Sequence, residues 1–133
     1  MKRDTDTSAI SVLLVDDDDM IRECVSAYLE DEGFTVYSCA TAEHALELIA
    51  AACPMVCISD MRLPGMNGEE FIMQAHLLCP ATAYLLHTGM LYTVSDELRS
   101  IGMSDDDVLL KPIHDLSKLV EKITLRAVSR RPW

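Results

Sequence analysis

Val12-Leu13-Leu14-Val15-Asp16-Asp17-Asp18-Asp19 sets an apolar run directly ahead of four consecutive aspartates. A short apolar run of this kind reads as a buried strand. Its end therefore delivers a cluster of carboxylates to one edge of a sheet. Adjacent like charges oppose each other's ionisation, and a hard cation with a preference for oxygen relieves that repulsion. The run is a candidate metal site.

The same alternation of strand and helix continues downstream. Strand one is expected over Ile10 to Val15. Ile21, Cys24, Val25, Tyr28 and Leu29 then recur at helical spacing, and Gly33 stands where a C′ residue ends a helix. Phe34 to Cys39 reads as strand two. Thr41 is the expected N-cap of a helix with the stripe Ala42, Ala45, Leu46 and Ile49. Met55 to Ser59 is an apolar third strand ending at Asp60. After a loop over 61–66, Asn67 caps a third helix that turns Phe71, Ile72 and Ala75 inward. Thr82 to His87 forms strand four and leads into Thr88-Gly89. A weaker helix follows from Thr93 to Ile101, then strand five over Val108 to Leu110, then Lys111-Pro112. Leu116, Leu119, Val120 and Ile123 mark the final helix.

Five strands alternating with five helices imply an α/β fold, a doubly wound parallel sheet with helices on both faces. Ligands of such sheets bind beyond the carboxyl ends of the strands. Asp16, Asp17, Asp60, Thr88 and Lys111 all fall at that edge. Asp18 and Asp19 instead open helix one, where carboxylates cap free N–H groups and suit the helix dipole.

The chain has 133 residues, enough for one domain. A flexible leader is expected over 1–9, the domain over 10–128 and a short tail over 129–133. The formal charge is −11, from 22 acidic and 11 basic residues. That balance disfavours direct nucleic-acid binding and suits a divalent cation or a basic partner protein. Lys118, Lys122, Arg126, Arg130 and Arg131 concentrate basic charge at the chain's end, read as a complement to the last helix's dipole. Cys24, Cys39, Cys53, Cys57 and Cys79 form no C-x-x-C pair and are expected to be reduced, mostly buried thiols of a cytoplasmic protein. No signal peptide and no membrane-spanning stretch is visible. His44, His76, His87 and His114 lack metal-ligand spacing, and the eight methionines read as core filler.

With the strand ends in view, the stretches LLVDDDD, VCISDMRLPGMNG, LLHTG and LLKP resemble, in order and spacing, the CheY-like receiver domain of two-component response regulators. The resemblance covers about residues 10–128. It implies the flavodoxin-like strand order 2-1-3-4-5. It also implies a phosphorelay module that takes a phosphoryl group onto Asp60 from a sensor histidine kinase or phosphotransfer protein and then switches its contacts with a downstream protein. A homodimer, and no direct contact with nucleic acid or membrane, belong to the same expectation. Asp16 and Asp17 match the family's Mg²⁺ ligands, together with Asp60 and the backbone carbonyl of Arg62. Thr88 and Lys111 match the hydroxyl and ammonium that engage the phosphoryl group. The Lys111-Pro112 bond is cis in the family. The chemistry implied is self-catalysed aspartyl phosphorylation and dephosphorylation, not turnover of a substrate.

The sequence departs from the family at Val108, where receivers carry Tyr or Phe, and in the long acidic segment from Gly102 to Asp107. Arg62 and Met90 occupy positions that tune the lifetime of the acyl phosphate. Two other readings compete. Asp16-Asp17-Asp18 loosely fits the D-x-D of haloacid-dehalogenase-type phosphatases, although Met20 stands where those want Thr or Val. A pseudo-receiver with unused chemistry is the second, with Val108 in its favour and the full set of acidic, Thr and Lys residues against it. An EF-hand is excluded, since Ile21 replaces the required glycine.

Overall fold

The computed structural model of the chain describes residues 10–129, so the expected leader and the tail beyond Ser129 lie outside the described residues. Numbering only the strands of the main sheet, the order along the chain begins with β1 (Ser11–Val15), α1 (Asp19–Asp31), β2 (Thr35–Cys39) and α2 (Ala42–Ala52). It continues with β3 (Val56–Asp60), α3 (Gly68–Leu78), β4 (Ala83–Thr88), α4 (Asp96–Ser100), β5 (Val108–Leu110) and α5 (Leu116–Ser129). All neighbouring strands are parallel, and the sheet order is β2-β1-β3-β4-β5, the expected doubly wound arrangement.

Two cores follow from the two-residue period of a strand. Leu13, Val15, Cys57 and Leu86 face one side, where they meet Ile49, Phe71, Ile72 and Leu98. Val12, Leu14, Ile58 and Leu85 face the other and meet Val25, Leu29, Leu119 and Ile123. Side chains as fully enclosed as Leu13, Leu29, Phe71 and Ile123 each contribute roughly 1.5–3 kcal/mol. The central strands are sealed on both faces, so their order and register are fixed wherever the apolar pattern is fixed.

Local signals end the helices where the residues say they should. Asp18 caps α1, accepting from the N–H groups of Met20 and Ile21 at 3.0 and 3.1 Å. Gly33, at φ 101°, closes it: Phe34 N–H reaches back to Leu29 C=O and Gly33 N–H to Glu30 C=O. Thr41 caps α2, and Asn67 and Glu70 form a reciprocal capping box on α3.

Four details differ from the sequence reading. The loop after Asp60 contains a two-stranded hairpin, Arg62–Leu63 against Met66–Asn67. Helix α4 is shorter than expected, because the Ser95 hydroxyl accepts from Leu98 N–H and starts the helix there, leaving 89–95 as an irregular strap. Met20 and Met90 are exposed rather than core filler. Arg126 serves more than the α5 dipole: its Nε lies 2.6 Å from the buried Asp107 carboxylate, tying α5 to the turn before β5.

The cysteines require a correction of their own. Cys39 and Cys57 are buried thiols, Cys24 is an exposed one, and Cys53 and Cys79 are joined as a disulfide with Cα atoms 5.9 Å apart. The two residues are the C-caps of α2 and α3, which pack side by side, so their ends meet although 26 residues separate them in sequence. A thiol titration of the denatured, unreduced protein is expected to count three free thiols. Reduction is expected to lower the unfolding free energy by about 3.5 kcal/mol, the loop-closure value for this span. A count of five would show that the pair had not formed.

Candidate functional site

Strand register assembles the site. Val15 pairs with Ser59, Asp60 with His87 and Thr88 with Leu110. The residues that follow β1 and β5, and those that close β3 and β4, therefore emerge side by side at the carboxyl edge. Asp16, Asp17 and Asp60 bring carboxylate oxygens within 4.8 Å of one another. Asp16 and Asp60 are buried, and Asp17 faces solvent.

Lys111 enters from the far end of the sheet. Its backbone N–H donates to Thr88 C=O at 2.8 Å, and the following bond to Pro112 is cis. Its ammonium stands 3.1 Å from Asp60 Oδ2 and 3.5 Å from Asp16 Oδ2. Burial pulls the Lys111 pKa down, but the two carboxylates outweigh it and the net shift is upward. Asp16 is pushed up by burial, against the pull of the Asp18 N–H at 2.9 Å and of Lys111.

One ammonium does not balance three carboxylates. Two unit charges at this spacing repel by about 3–4 kcal/mol at an effective dielectric of 20. The residual formal charge of the group matches a divalent cation. The donors are all oxygens, and Asp16 Oδ2 is buried without a hydrogen-bond partner. This set fits Mg²⁺, which takes carboxylates and keeps several waters.

The remaining expected residues also gather here. Arg62 N–H points to Asp60 Oδ1 at 3.4 Å, while its guanidinium reaches outward to Met90 Sδ at 3.6 Å. Thr88 is buried, and its hydroxyl accepts from Met90 N–H at 3.2 Å, leaving its own hydrogen to donate. Asp18 and Asp19 stay with the helix, Asp18 as its cap and Asp19 in an ion pair with Arg22 at 2.6 Å.

Sequence reasoning missed two supports of this edge. Arg22 also donates to Asp16 C=O at 2.7 Å, holding the β1 end in place. Gly68 packs so closely that a Cβ there would lie 2.4 Å from Asp60 C=O, so no other residue fits without displacing the end of β3. The repeated glycine in LPGMNG was the available signal for the second. Arg22 carried none, being a charged residue on an amphipathic helix.

The receiver-domain description of response regulators matches residues 12–124. The chain belongs to the response regulator receiver family. Among curated relatives, the cell cycle response regulator CtrA of Brucella ovis is 31% identical over 120 residues. That alignment takes in 90% of this chain and 50% of the relative, so the chain spans about half the length of the curated relatives it matches. A CheY-like receiver domain protein from Methanospirillum hungatei is 30% identical, with a TM-score of 0.78 and coverage of 91% of this chain and 95% of that one. The chemotaxis response regulator CheY4 of Vibrio cholerae is 30% identical, with a TM-score of 0.69 and coverage of 86% and 98%. Membership in the receiver family removes the support for a haloacid-dehalogenase-type phosphatase. No helix among the described residues is long and apolar enough to cross a membrane.

A buried histidine borders the site. His87 projects to the α1–α5 side of β4, is 4% exposed, and its Nε2 is buried without a hydrogen-bond partner. Burial and then Lys111 hold its pKa down at about 4, against an opposing pull from Asp60. The unfolded chain binds this proton near pH 6.5. Stability from the neutral ring is therefore complete above pH 6.5 and declines as pH falls toward 4. Between pH 7 and pH 5 the loss is expected to be about 2 kcal/mol. Urea melts at the two pH values check it, and His87→Leu is expected to flatten the difference.

Proposed function

We propose that this receiver is a phosphorylation-switched signalling module in which Asp60 accepts a phosphoryl group from a phosphohistidine of a sensor kinase or phosphotransfer protein. The observation that carries the reading is the Lys111 ammonium set between Asp60 and Asp16, with Asp17 completing a carboxylate group that fits a divalent cation. In the transfer, one Asp60 carboxylate oxygen attacks phosphorus. The new P–O bond replaces the P–N bond, and the imidazole leaves with its electron pair and takes up a proton.

Asp16, Asp17, Asp60 and the Arg62 backbone carbonyl would hold Mg²⁺. When bound, it neutralises carboxylate charge and the charge developing on the phosphoryl oxygens. Lys111 adds a fixed positive charge that does not depend on the cation. Thr88, with its hydroxyl hydrogen uncommitted, donates to a phosphoryl oxygen once the group is in place. That movement at the end of β4 biases the α4–β5 face toward a downstream partner or a second copy of the chain. The protein acts as a switch in the cytoplasm, not as a turnover enzyme.

Acetyl phosphate with Mg²⁺ is expected to add one phosphoryl group, mapping to Asp60. Asp60→Asn is expected to abolish both this labelling and the response to beryllofluoride. Labelling that survives the substitution overturns the assignment. A fold that binds partners but takes no label would support the pseudo-receiver reading instead.

Met90 and Arg62 flank the acceptor, and a thioether cannot orient a hydrolytic water by donating a hydrogen bond. The phosphorylated form is therefore expected to be long-lived. A ³²P chase in the presence of Mg²⁺ should decay over minutes or longer, and a half-life of seconds contradicts this.

A further inference from the structure

The strap over 89–95, between the end of β4 and the start of α4, is held at three points. At its beginning, Met90 N–H bonds the Thr88 hydroxyl and the Met90 sulfur receives Arg62. At its end, Val94 N–H donates to Asp105 Oδ1 at 2.9 Å. Arg99 binds both partners there, Asp105 Oδ2 at 2.9 Å and Val94 C=O at 3.2 Å. In the middle, the half-buried Tyr92 packs on the core beneath α2–α4, and its hydroxyl donates to the carboxylate of Glu69.

Glu69 is a fixed anchor. It sits in the first turn of α3, between Gly68, which is pressed against Asp60 C=O, and the Glu70 of the capping box. The Tyr92 hydroxyl therefore ties the strap that follows Thr88 to the start of α3, which packs against Asp60. Beneath it, the half-buried Val108 packs on the same side of the sheet and has no hydroxyl to form such a tie. Burial, followed by the neighbouring carboxylate, raises the Tyr92 pKa, so the phenol keeps its proton and remains a donor at neutral pH.

We infer that Tyr92 is a positioning residue for phosphoryl capture: bonded to Glu69, it restrains the strap and so sets the cost of drawing Thr88 toward a phosphoryl group on Asp60. The inference rests on the reading of Asp60 as the acceptor. A hydrogen bond to a charged partner is strong enough to matter at this scale, and releasing it eases the inward movement. Tyr92 thus takes a place in the switch that Val108, lacking both ring and hydroxyl, cannot fill.

The test is a beryllofluoride titration in the presence of Mg²⁺, paired with acetyl phosphate kinetics, on the wild-type chain and five variants. Tyr92→Phe and Glu69→Ala are each expected to bind beryllofluoride roughly ten-fold more tightly. Glu69→Gln keeps an acceptor for the phenol but loses its charge, and is expected to fall between wild type and Glu69→Ala. The double variant Tyr92→Phe/Glu69→Ala is expected to gain no more than either single change, the signature of one shared interaction. In the kinetics, the half-saturating acetyl phosphate concentration should fall with little change in the maximal rate. Unchanged or weakened binding in Tyr92→Phe, or additive effects in the double variant, overturns the inference. Asp60→Asn serves as the control for the underlying reading. If the wild type binds no beryllofluoride, or Asp60→Asn binds it equally well, the acceptor assignment itself has failed.

Discussion

Everything at the carboxyl edge of this sheet answers to one imbalance: three carboxylates with oxygens within 4.8 Å of one another, and a single ammonium set against two of them. Such a group is unstable in isolation, since each carboxylate pair repels. It persists because the rest of the fold holds it there. The sheet register places Asp16 beside Asp60, Arg22 and the Asp18 N–H hold the Asp16 end, and Gly68 lets the acceptor loop close against β3. The two apolar cores supply the stability against which this local repulsion is maintained. A divalent cation and a phosphoryl group would each change that balance of charge.

Much of this was legible because it depends on local chemistry. Strand period, helical spacing and caps at Asp18, Thr41 and Asn67 are decided by residues close in sequence, and they set the order of elements. Once the order is fixed, the strand ends bring Asp16, Asp60, Thr88 and Lys111 together, which is why the site could be assembled from motifs spread over the chain. The illegible parts are contacts between distant surfaces. Cys53 meets Cys79 only because two helices end at the same level, and Arg126 meets Asp107 only because α5 crosses beside the turn before β5. Helix α4 was overread for a different reason. Val94 and Leu98 are both buried at helical spacing, yet Ser95 caps between them, so the apolar pattern begins two residues before the helix does.

The strap that remains in place of that missing helical turn shapes how the site communicates with the rest of the molecule. A helix running back to Thr93 would have held the carbonyls of Thr93 and Val94 in intrahelical bonds. Instead Val94 relies on Asp105, and Tyr92 relies on Glu69. Each bond leads to a different element, α3 on one side and the acidic turn before β5 on the other. The same acidic segment then passes through Asp107 to Arg126 on α5. A shift of Thr88 therefore meets resistance from side-chain bonds rather than from a rigid helix, and those bonds can be exchanged without unfolding a core.

The position of Val108 makes sense within that arrangement. A small, half-buried β-branched side chain packs on the core beside β4, so β5 contributes stability but no movable aromatic group. A half-buried phenol bonded to one charged partner is held by a side-chain contact that can break without disturbing the core. The described residues place such a group on the strap, four positions beyond Thr88, and anchor it to the segment that follows Asp60. Coupling across that short span needs no relay through the sheet: the hydroxyl that would hold the phosphoryl group and the phenol that restrains it belong to the same stretch of backbone.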